Sequence, residues 1–202
     1  MIRLLLVDDH PVAMAGLAAT LADAADIEIV GSAVSLAEIS PAIAASRPDV
    51  VLCDVELGDE RALNLPRDLG EEAPPVLYFS SYDYPSFIRA AFEGGAAGYL
   101  VKSAPLADIV AAIRTVAAGG TSFERRHLRA ARGAPRMPSA REGQVISCVA
   151  AGSTNAEIGA ELGIDERTVE SHLRRLFDRY GVESRTELVK YAVRAGWIDL
   201  NR

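Results

Sequence analysis

The sequence is poor in cysteine and has no long apolar run, and each lack excludes a class of protein. Only two of its 202 residues are cysteine, Cys53 and Cys148, and both lie in apolar segments far apart in the chain. This usage argues against a disulfide framework and predicts reduced thiols in a cytoplasmic protein. The longest apolar runs, residues 4–7 and 50–53, are the length of a strand, so we expect neither a membrane span nor a signal peptide.

Basic residues are also in the minority, and taken whole this argues against a DNA-binding protein. The chain has 21 basic and 28 acidic side chains, a net charge of −7. The charge is uneven, however: residues 1–123 carry −10, residues 124–138 carry +4 from five arginines and one glutamate, and residues 139–202 carry −1. Glycine and proline accompany the arginines. We therefore predict a first domain over 1–120, a basic linker over 121–138 and a second domain over 139–202.

The first domain alternates short apolar runs with helical patterns. Strands are predicted at 2–7, 27–33, 50–53, 76–79 and 99–101, and most of them are apolar throughout, as strands covered on both faces are. Ser35 and Glu38 have the spacing of a capping box, and Pro85 and Pro105 stand at predicted helix starts. Five strands alternating with five helices predict an α/β domain with a doubly wound, five-stranded parallel sheet.

Polar residues follow four of these five strands. Asp8 and Asp9 end the first strand, Asp54 the third, Ser80 the fourth and Lys102 the fifth. A parallel sheet brings these ends together, at the edge where such folds bind ligands. Clustered carboxylates need a neutralising cation, and oxygen ligands suit Mg²⁺. With a lysine to hold a phosphoryl oxygen, Asp54 could act as a nucleophile on phosphorus.

The second domain shows helical patterns and no strand pattern. We predict an all-α, four-helix domain with helices near 139–151, 154–162, 166–180 and 184–195. A turn at Gly163 separates the second and third helices, which is helix-turn-helix spacing. Three capping boxes support these starts: Ser139 with Glu142, Thr154 with Glu157, and Ser184 with Glu187.

At this point the chain resembles a known family, the two-component response regulators of the NarL/FixJ type. The matching residues are 7–11 at the acidic opening, Asp54, Ser80 and the run 98–102. The resemblance implies a flavodoxin-like receiver in which Asp54 is the phosphoacceptor, Lys102 its partner, and Ser80 and Tyr99 the switch residues.

The same resemblance implies a Mg²⁺ site and a conformational switch. Asp9, Asp54 and the backbone carbonyl of Glu56 would bind the ion, with Asp8 assisting. Phosphorylation would draw Ser80 inward and let Tyr99 follow, which would reshape the surface over residues 85–118.

The chain departs from the receiver pattern at three positions. Gly58 and Ala62 replace the usual proline and glycine, so the loop after Asp54 is expected to take another course. Ser103 stands where many receivers have a cis proline, and a cis bond is not expected before serine.

Residues 152–158 and 168–172 resemble the LuxR-type helix-turn-helix. That resemblance implies DNA contacts from the third helix and its surroundings. The candidate DNA-binding residues are Arg167, Glu170, Ser171, Arg174, Arg175, Thr154, Asn155, Thr168 and His172. Glu170 departs from the pattern, because the family usually has a lysine there. A carboxylate would repel phosphate unless it accepts a cytosine amino group.

These features together predict a transcription factor controlled by phosphorylation. A sensor histidine kinase or a small phosphodonor would phosphorylate Asp54, and the modified chain would dimerise and bind double-stranded DNA. We expect no membrane partner. The chain would catalyse only its own phosphorylation and dephosphorylation. Two alternatives remain open. The chain could be a phosphotransferase that uses Asp54 on an external substrate, which turnover lost in Asp54→Asn would reveal. It could also act by phosphate-independent ligand or protein contacts, an option that Glu170 keeps open.

Overall fold

The computed structural model describes residues 1–70 and 72–198. The chain divides into two compact units, Met1–Gly133 and Ala134–Arg202. The second unit begins five residues before the predicted start of the second domain at 139, and the first unit extends past residue 120.

A parallel sheet organises the first unit. In chain order the strands are β1 (Ile2–Val7), β2 (Ile27–Ala33), β3 (Val50–Cys53), β4 (Glu56–Leu57), β5 (Glu60–Arg61), β6 (Val76–Ser80), β7 (Gly98–Val101) and β8 (Ser122–Phe123). Six of them form one sheet in the order β2-β1-β3-β6-β7-β8, and every pairing in it is parallel. The other two, β4 and β5, form a separate antiparallel hairpin. The doubly wound sheet is thus confirmed, with β8 as an additional edge strand.

Helices connect these strands. They are α1 (Pro11–Leu21), α2 (Leu36–Ser46), α3 (Leu65–Leu69), α4 (Pro85–Glu93), α5 (Leu106–Ala117) and α6 (Arg125–Gly133), with a short 3-10 helix at Ala62–Asn64. Leu4, Leu52 and Leu77 from the central strands pack with Ile109 and Ile113 of α5 in a core from which solvent is nearly excluded. Side chains buried on both faces of β1 and β3 explain why these strands are apolar throughout.

The predicted capping box at the start of α2 forms differently. Ser35 occupies the N-cap position, but its side chain makes no capping hydrogen bond. The Glu38 carboxylate instead accepts from the backbone N–H of Val34, at 2.9 Å. The glutamate therefore stabilises the helix start one residue earlier than the spacing predicts.

The structure also differs from the predicted linker. Within 121–138, Ser122 and Phe123 extend the sheet, and the Phe123 ring meets the Phe92 ring of α4 edge to face, 5.5 Å between centroids. Helix α6 follows and packs against α4, with His127 and Ala131 buried. The arginines suggested a solvated tether, but the residues between them form an apolar stripe at helical spacing, and that stripe docks.

Four helices form the second unit, as predicted. They are α7 (Ala140–Ala150), α8 (Asn155–Leu162), α9 (Glu166–Tyr180) and α10 (Arg185–Arg194). Full capping boxes at Ser139 and Thr154 begin α7 and α8. At α10 the Ser184 side chain accepts from Glu187 N–H, and the Glu187 carboxylate accepts from Glu183 N–H. An aromatic cluster of Tyr180, Tyr191 and Trp197 closes the core.

Among the helices of the described residues, none is long and apolar enough to cross a membrane.

Candidate functional site

The ends of four strands meet around one lysine. Lys102, directly after β7, places its Nζ 2.6 Å from Asp8 Oδ2 and 2.7 Å from Asp54 Oδ2. Asp8 follows β1 and Asp54 follows β3, and these neighbouring strands bring the two carboxylates together although 46 residues separate them in sequence. The Lys102–Ser103 peptide bond is trans, so the lysine takes this position without a cis turn. The predicted convergence of Asp8, Asp54 and Lys102 is present in the structure.

The charges at this edge do not balance. Asp8 and Asp54 are only 8% and 7% exposed and share a single ammonium group. Burial raises the pKa of Asp54, and the nearby Asp8 charge adds to that rise, which Lys102 only partly opposes. Burial by itself would lower the pKa of Lys102, but hydrogen bonds to Asp54 and Asp8 outweigh it and raise the pKa. One ammonium group between two buried carboxylates explains why the pKa values of Asp54 and Lys102 are both raised.

The backbone orients the Asp54 carboxylate. Asp54 Oδ1 accepts from Val55 N–H at 2.6 Å and from Glu56 N–H at 3.4 Å, which leaves Oδ2 facing Lys102. Glu56 thus lies at the site, and its side chain pairs with Arg61 across the β4–β5 hairpin. The metal-binding role of the Glu56 carbonyl stays a prediction.

The loop after Asp54, which contains Gly58, folds as a tight turn; whether it departs from the course usual in receivers stays a prediction. It is a hairpin in which Leu57 pairs with Glu60 around Gly58 and Asp59. Gly58 has φ +61°, a left-handed conformation that favours glycine, and its N–H donates to Asp9 Oδ2 at 2.9 Å. Burial alone would raise the pKa of Asp9, but this hydrogen bond and the nearby His10 lower it. Sequence reasoning missed this contact, although Gly-Asp between two short segments is a hairpin signal.

The donor set at this edge fits a hard divalent cation. Asp8, Asp9, His10 and Asp54 each offer a ligand atom, and these atoms lie within 4.8 Å of one another. Among the described residues, the buried Asp9 Oδ1 has only His10 Nδ1 within ion-pair distance, at 2.8 Å. Carboxylate oxygens in excess over ammonium groups suit Mg²⁺, whose charge would neutralise them.

The predicted switch residues lie beside the acceptor site. Ser80 ends β6, is fully buried and accepts from Tyr82 N–H at 3.3 Å. Tyr99, on the neighbouring strand, is 1% exposed and donates from its hydroxyl to the Tyr82 carbonyl at 2.7 Å. Burial raises the pKa of the Tyr99 phenol, so it remains a donor. The ring of Tyr82 in turn stacks on Tyr84, at the start of α4. A chain of contacts therefore leads from the acceptor edge to α4.

The second unit contains a tight helix-turn-helix. Helix α8 ends at Gly163, whose φ of +66° reverses the chain, and the Asp165 side chain accepts from Thr168 N–H to begin α9. Gly159 allows the close approach, because a Cβ there would lie 2.7 Å from the Ile164 carbonyl oxygen. Buried Ile158, Val169 and Leu173 hold α8 and α9 together, as the predicted packing face requires.

The opposite side of α9 is polar and exposed. It presents Arg167, Glu170, Ser171, Arg174 and Arg175, all solvent-accessible, as the sequence predicts for a reading face. Glu170 and Arg174 share a groove of about 540 Å³ with Asn155 at the start of α8. The structure thus brings these three predicted residues together.

The remaining predicted DNA-binding residues serve the fold as well. The hydroxyls of Thr154 and Thr168 donate to Glu157 and Asp165, both at 2.8 Å, in the caps of α8 and α9. His172 is half-buried on α9. DNA contacts by these three residues stay predictions.

Comparison with known proteins places both units in families. The response regulator receiver domain model matches residues 4–114, and the model of the luxR family of bacterial regulatory proteins matches residues 139–192. The parallel sheet with its acidic carboxyl edge identifies the first unit as a receiver domain. The helix-turn-helix identifies the second unit as a LuxR-type DNA-binding domain, which we call the reader. The chain belongs to the response regulator family, with a LuxR-type DNA-binding domain.

The chain also matches other proteins over nearly their whole length. The chain is 34% identical to the transcriptional regulatory protein MctR of Rhizobium johnstonii, over 96% of this chain and 94% of that one. It is 31% identical to the DNA-binding transcriptional activator DevR/DosR of Mycobacterium tuberculosis, over 95% and 94%. The crystal structure of ChrA, a response regulator of a heme-sensing two-component system, matches with 32% identity and a TM-score of 0.52, over 98% of both chains.

Proposed function

We propose that this protein is a transcriptional regulator in which Mg²⁺-dependent phosphorylation of Asp54 controls dimerisation and sequence-specific DNA binding. The observation that carries the proposal is the placement of Lys102 Nζ between Asp8 and Asp54, at 2.6 and 2.7 Å, on the carboxyl edge of the sheet. This edge combines a nucleophile, a cation that can hold a phosphoryl oxygen and carboxylates that fit a metal.

In the proposed reaction an Asp54 oxygen attacks the phosphorus of a phosphohistidine on the partner kinase, or of a small phosphodonor. The new O–P bond forms as the N–P bond to the imidazole breaks, and the imidazole leaves. Asp8, Asp9, Asp54 and the Glu56 carbonyl would hold Mg²⁺, which when bound would neutralise negative charge during this transfer. Lys102 holds a phosphoryl oxygen.

Switching follows from the contacts beside the site. Ser80 Oγ accepts from Tyr82 N–H, and its hydroxyl proton is the group that would be donated to a phosphoryl oxygen. That donation would tighten the Ser80–Tyr82–Tyr99 cluster and reposition the start of α4. Changes in α4 are the proposed route to dimerisation and to DNA binding.

The reader would act through the exposed side of α9. Arg174 and Ser171 are proposed to reach base edges or the backbone, Arg167 and Arg175 to contact phosphates, and Glu170 to accept from a cytosine amino group. The reader's own charge is close to neutral, so one copy makes few phosphate contacts. Two copies on two half-sites combine their affinities, which is why a dimer is proposed.

We place this activity in the cytoplasm, where a kinase can phosphorylate the receiver and DNA is accessible. Cys53 and Cys148 are both buried free thiols, in keeping with a reducing compartment.

Selection from a random-sequence duplex library tests the proposal. The full chain is incubated with Mg²⁺, with and without beryllium fluoride as a phosphoryl mimic. We expect one motif to be enriched, more strongly with the mimic, and the gain to be lost in Asp54→Asn. Enrichment of no motif in either state would contradict the proposal, as would an unchanged gain in Asp54→Asn.

A further inference from the structure

A stretch between the two families' matches has a structure of its own. The receiver model ends at residue 114 and the luxR-family model begins at 139. The intervening residues include β8 and α6, which complete the first unit: β8 pairs with β7, and α6 packs on α4. What the sequence suggested as a flexible basic tether is therefore mainly a docked, amphipathic helix.

The docked side of α6 determines which residues face solvent. His127 and Ala131 are buried, one turn apart, at 8% and 4% exposure. Arg125, Arg129 and Arg132 lie at the spacing i, i+4 and i+7, are all exposed, and define what we call the arginine face. At 1.5 Å per residue, their Cα atoms are about 6 and about 4.5 Å apart along the helix axis.

The arginine face has no acidic counterpart among the described residues. In this helix it is Arg126 that is neutralised, by Glu124 at 2.6 Å, whereas the structure records no ion pair for the three arginines of the face. Residues 124–138 carry +4 in a chain whose first 123 residues carry −10. Positive charge is therefore concentrated on one short helix of an otherwise acidic unit.

We propose that the arginine face of α6 binds DNA phosphates beside the half-site read by α9. This inference rests on the proposed function, since it assumes that the reader binds DNA. Residues 139–202 hold nine basic and ten acidic side chains, so the reader by itself has few cations for the phosphate contacts that dominate affinity. The arginine face adds three.

Only a short stretch of chain separates α6 from the reader. Helix α6 ends at Gly133, and the Arg136 carbonyl already accepts a hydrogen bond from the Tyr180 hydroxyl at the end of α9, at 3.1 Å. Only residues 134 and 135 lie between Gly133 and Arg136 in the chain, a connection that spans about 10 Å when fully extended.

DNA fits this face better than a protein partner does. Protein interfaces depend on apolar or aromatic anchors in a desolvated centre. Besides its arginines, the exposed side of α6 offers Ala130 and Gly133, which are too small to serve as anchors. Guanidinium groups in a row on a rigid helix, in contrast, are well suited to successive phosphates.

The test uses the full chain carrying beryllium fluoride and the duplex selected by the wild type. The variant is the triple substitution Arg125→Gln, Arg129→Gln and Arg132→Gln, and affinity is measured by fluorescence anisotropy from 50 to 200 mM salt. Because each phosphate contact contributes about 0.9 to the slope of log K against log salt, we expect the slope to fall by about 2 to 3 per chain. Affinity at 100 mM salt should drop at least about tenfold, with no change in the selected sequence.

Two controls separate charge from structure. The triple Arg→Lys variant keeps the positive charges and should retain most of the salt slope. Arg47→Gln removes an exposed arginine of the receiver away from α6 and should leave both slope and affinity unchanged. Far-ultraviolet circular dichroism verifies that every variant is folded.

The outcomes are distinguishable. If the triple Gln variant shows the same slope of log K against log salt as the wild type, the inference is wrong. The proposed function still stands in that case, provided that the wild type selects a DNA motif. An unchanged slope with weakened self-association in sedimentation also overturns the inference, and identifies a second copy of the chain as the partner of this face. A wild type that selects no DNA overturns both proposals.

Discussion

Replacing Asp54 by asparagine should stabilise the metal-free receiver, although the substitution removes the ion pair between Asp54 and Lys102, at 2.7 Å. In Asp54→Asn the repulsion from Asp8 and Asp9, whose ligand atoms lie within 4.8 Å, disappears. At an effective dielectric constant of 20, each such repulsion is about 3.5 kcal/mol and the lost attraction to Lys102 about 6 kcal/mol. The substitution also removes the cost of burying the Asp54 charge. We therefore expect the free energy of unfolding of the receiver to rise by about 1–3 kcal/mol.

Urea unfolding at pH 7.5 with a chelator measures this gain. Trp197, the single tryptophan, is buried in the second unit and reports only on the reader, whereas circular dichroism records both units. We expect the receiver transition of Asp54→Asn to move up by about 0.5–1.5 M urea, at an m-value of about 2 kcal/mol/M, and the Trp197 transition to stay in place. Asp59→Asn, at the exposed hairpin turn, is the matched control and should not move either transition.

Magnesium and pH should each change the difference in stability between Asp54→Asn and the wild type. At 100 times its dissociation constant Mg²⁺ stabilises the wild type by about 2.7 kcal/mol, and it should stabilise Asp54→Asn less, so the difference narrows or reverses. Since burial raises the pKa of Asp54, its ionisation reduces wild-type stability as pH rises from 3.8 through the raised pKa, and Asp54→Asn lacks this contribution. A less stable Asp54→Asn in chelator would refute the reasoning, because Lys102 would then outweigh the repulsion.

Three further substitutions test other contacts. Tyr99→Phe removes the 2.7 Å hydrogen bond to the Tyr82 carbonyl and should lower receiver stability by about 1 kcal/mol in urea unfolding; an unchanged midpoint would show that the bond contributes nothing net. Gly98→Ala places a Cβ 2.6 Å from the backbone of β8, so we expect a loss of about 1–3 kcal/mol and faster amide exchange in β8, and normal exchange there would count against this packing. Burial alone would raise the pKa of Glu142, but hydrogen bonds from the α7 N-terminus and from an arginine lower it. The reader should therefore lose stability as pH falls below about 4.5, and Glu142→Gln should lose less. Trp197 fluorescence during unfolding measures both.

Residue type and periodicity were sufficient to predict the sheet and the acceptor edge. Four apolar runs predicted the central strands β1, β3, β6 and β7. The rule that parallel strands present their carboxyl ends at one edge then predicted that Asp8, Asp54 and Lys102 lie in one site. Capping boxes at Ser139 and Thr154 likewise located helix starts, because their hydrogen bonds are local.

Features that depend on tertiary context were harder to predict. β8 has two residues, too few for a periodic signal, and forms because β7 offers an open edge. Arginines and flanking prolines concealed α6, whose apolar stripe of His127, Leu128 and Ala131 was short but present. At α2, the backbone conformation before Ser35 let Val34 N–H reach Glu38, which a spacing rule does not encode.

The short joint between α6 and the reader has a mechanical consequence. Between Gly133, the last residue of α6, and Arg136, whose carbonyl is bonded to Tyr180, stand Ala134 and Pro135 alone. The proline ring fixes its own φ, so few backbone dihedral angles remain in which a displacement of α6 could be absorbed. The segment that joins α6 to the reader therefore has few free backbone rotations, far fewer than the linker of 18 residues that the sequence suggested.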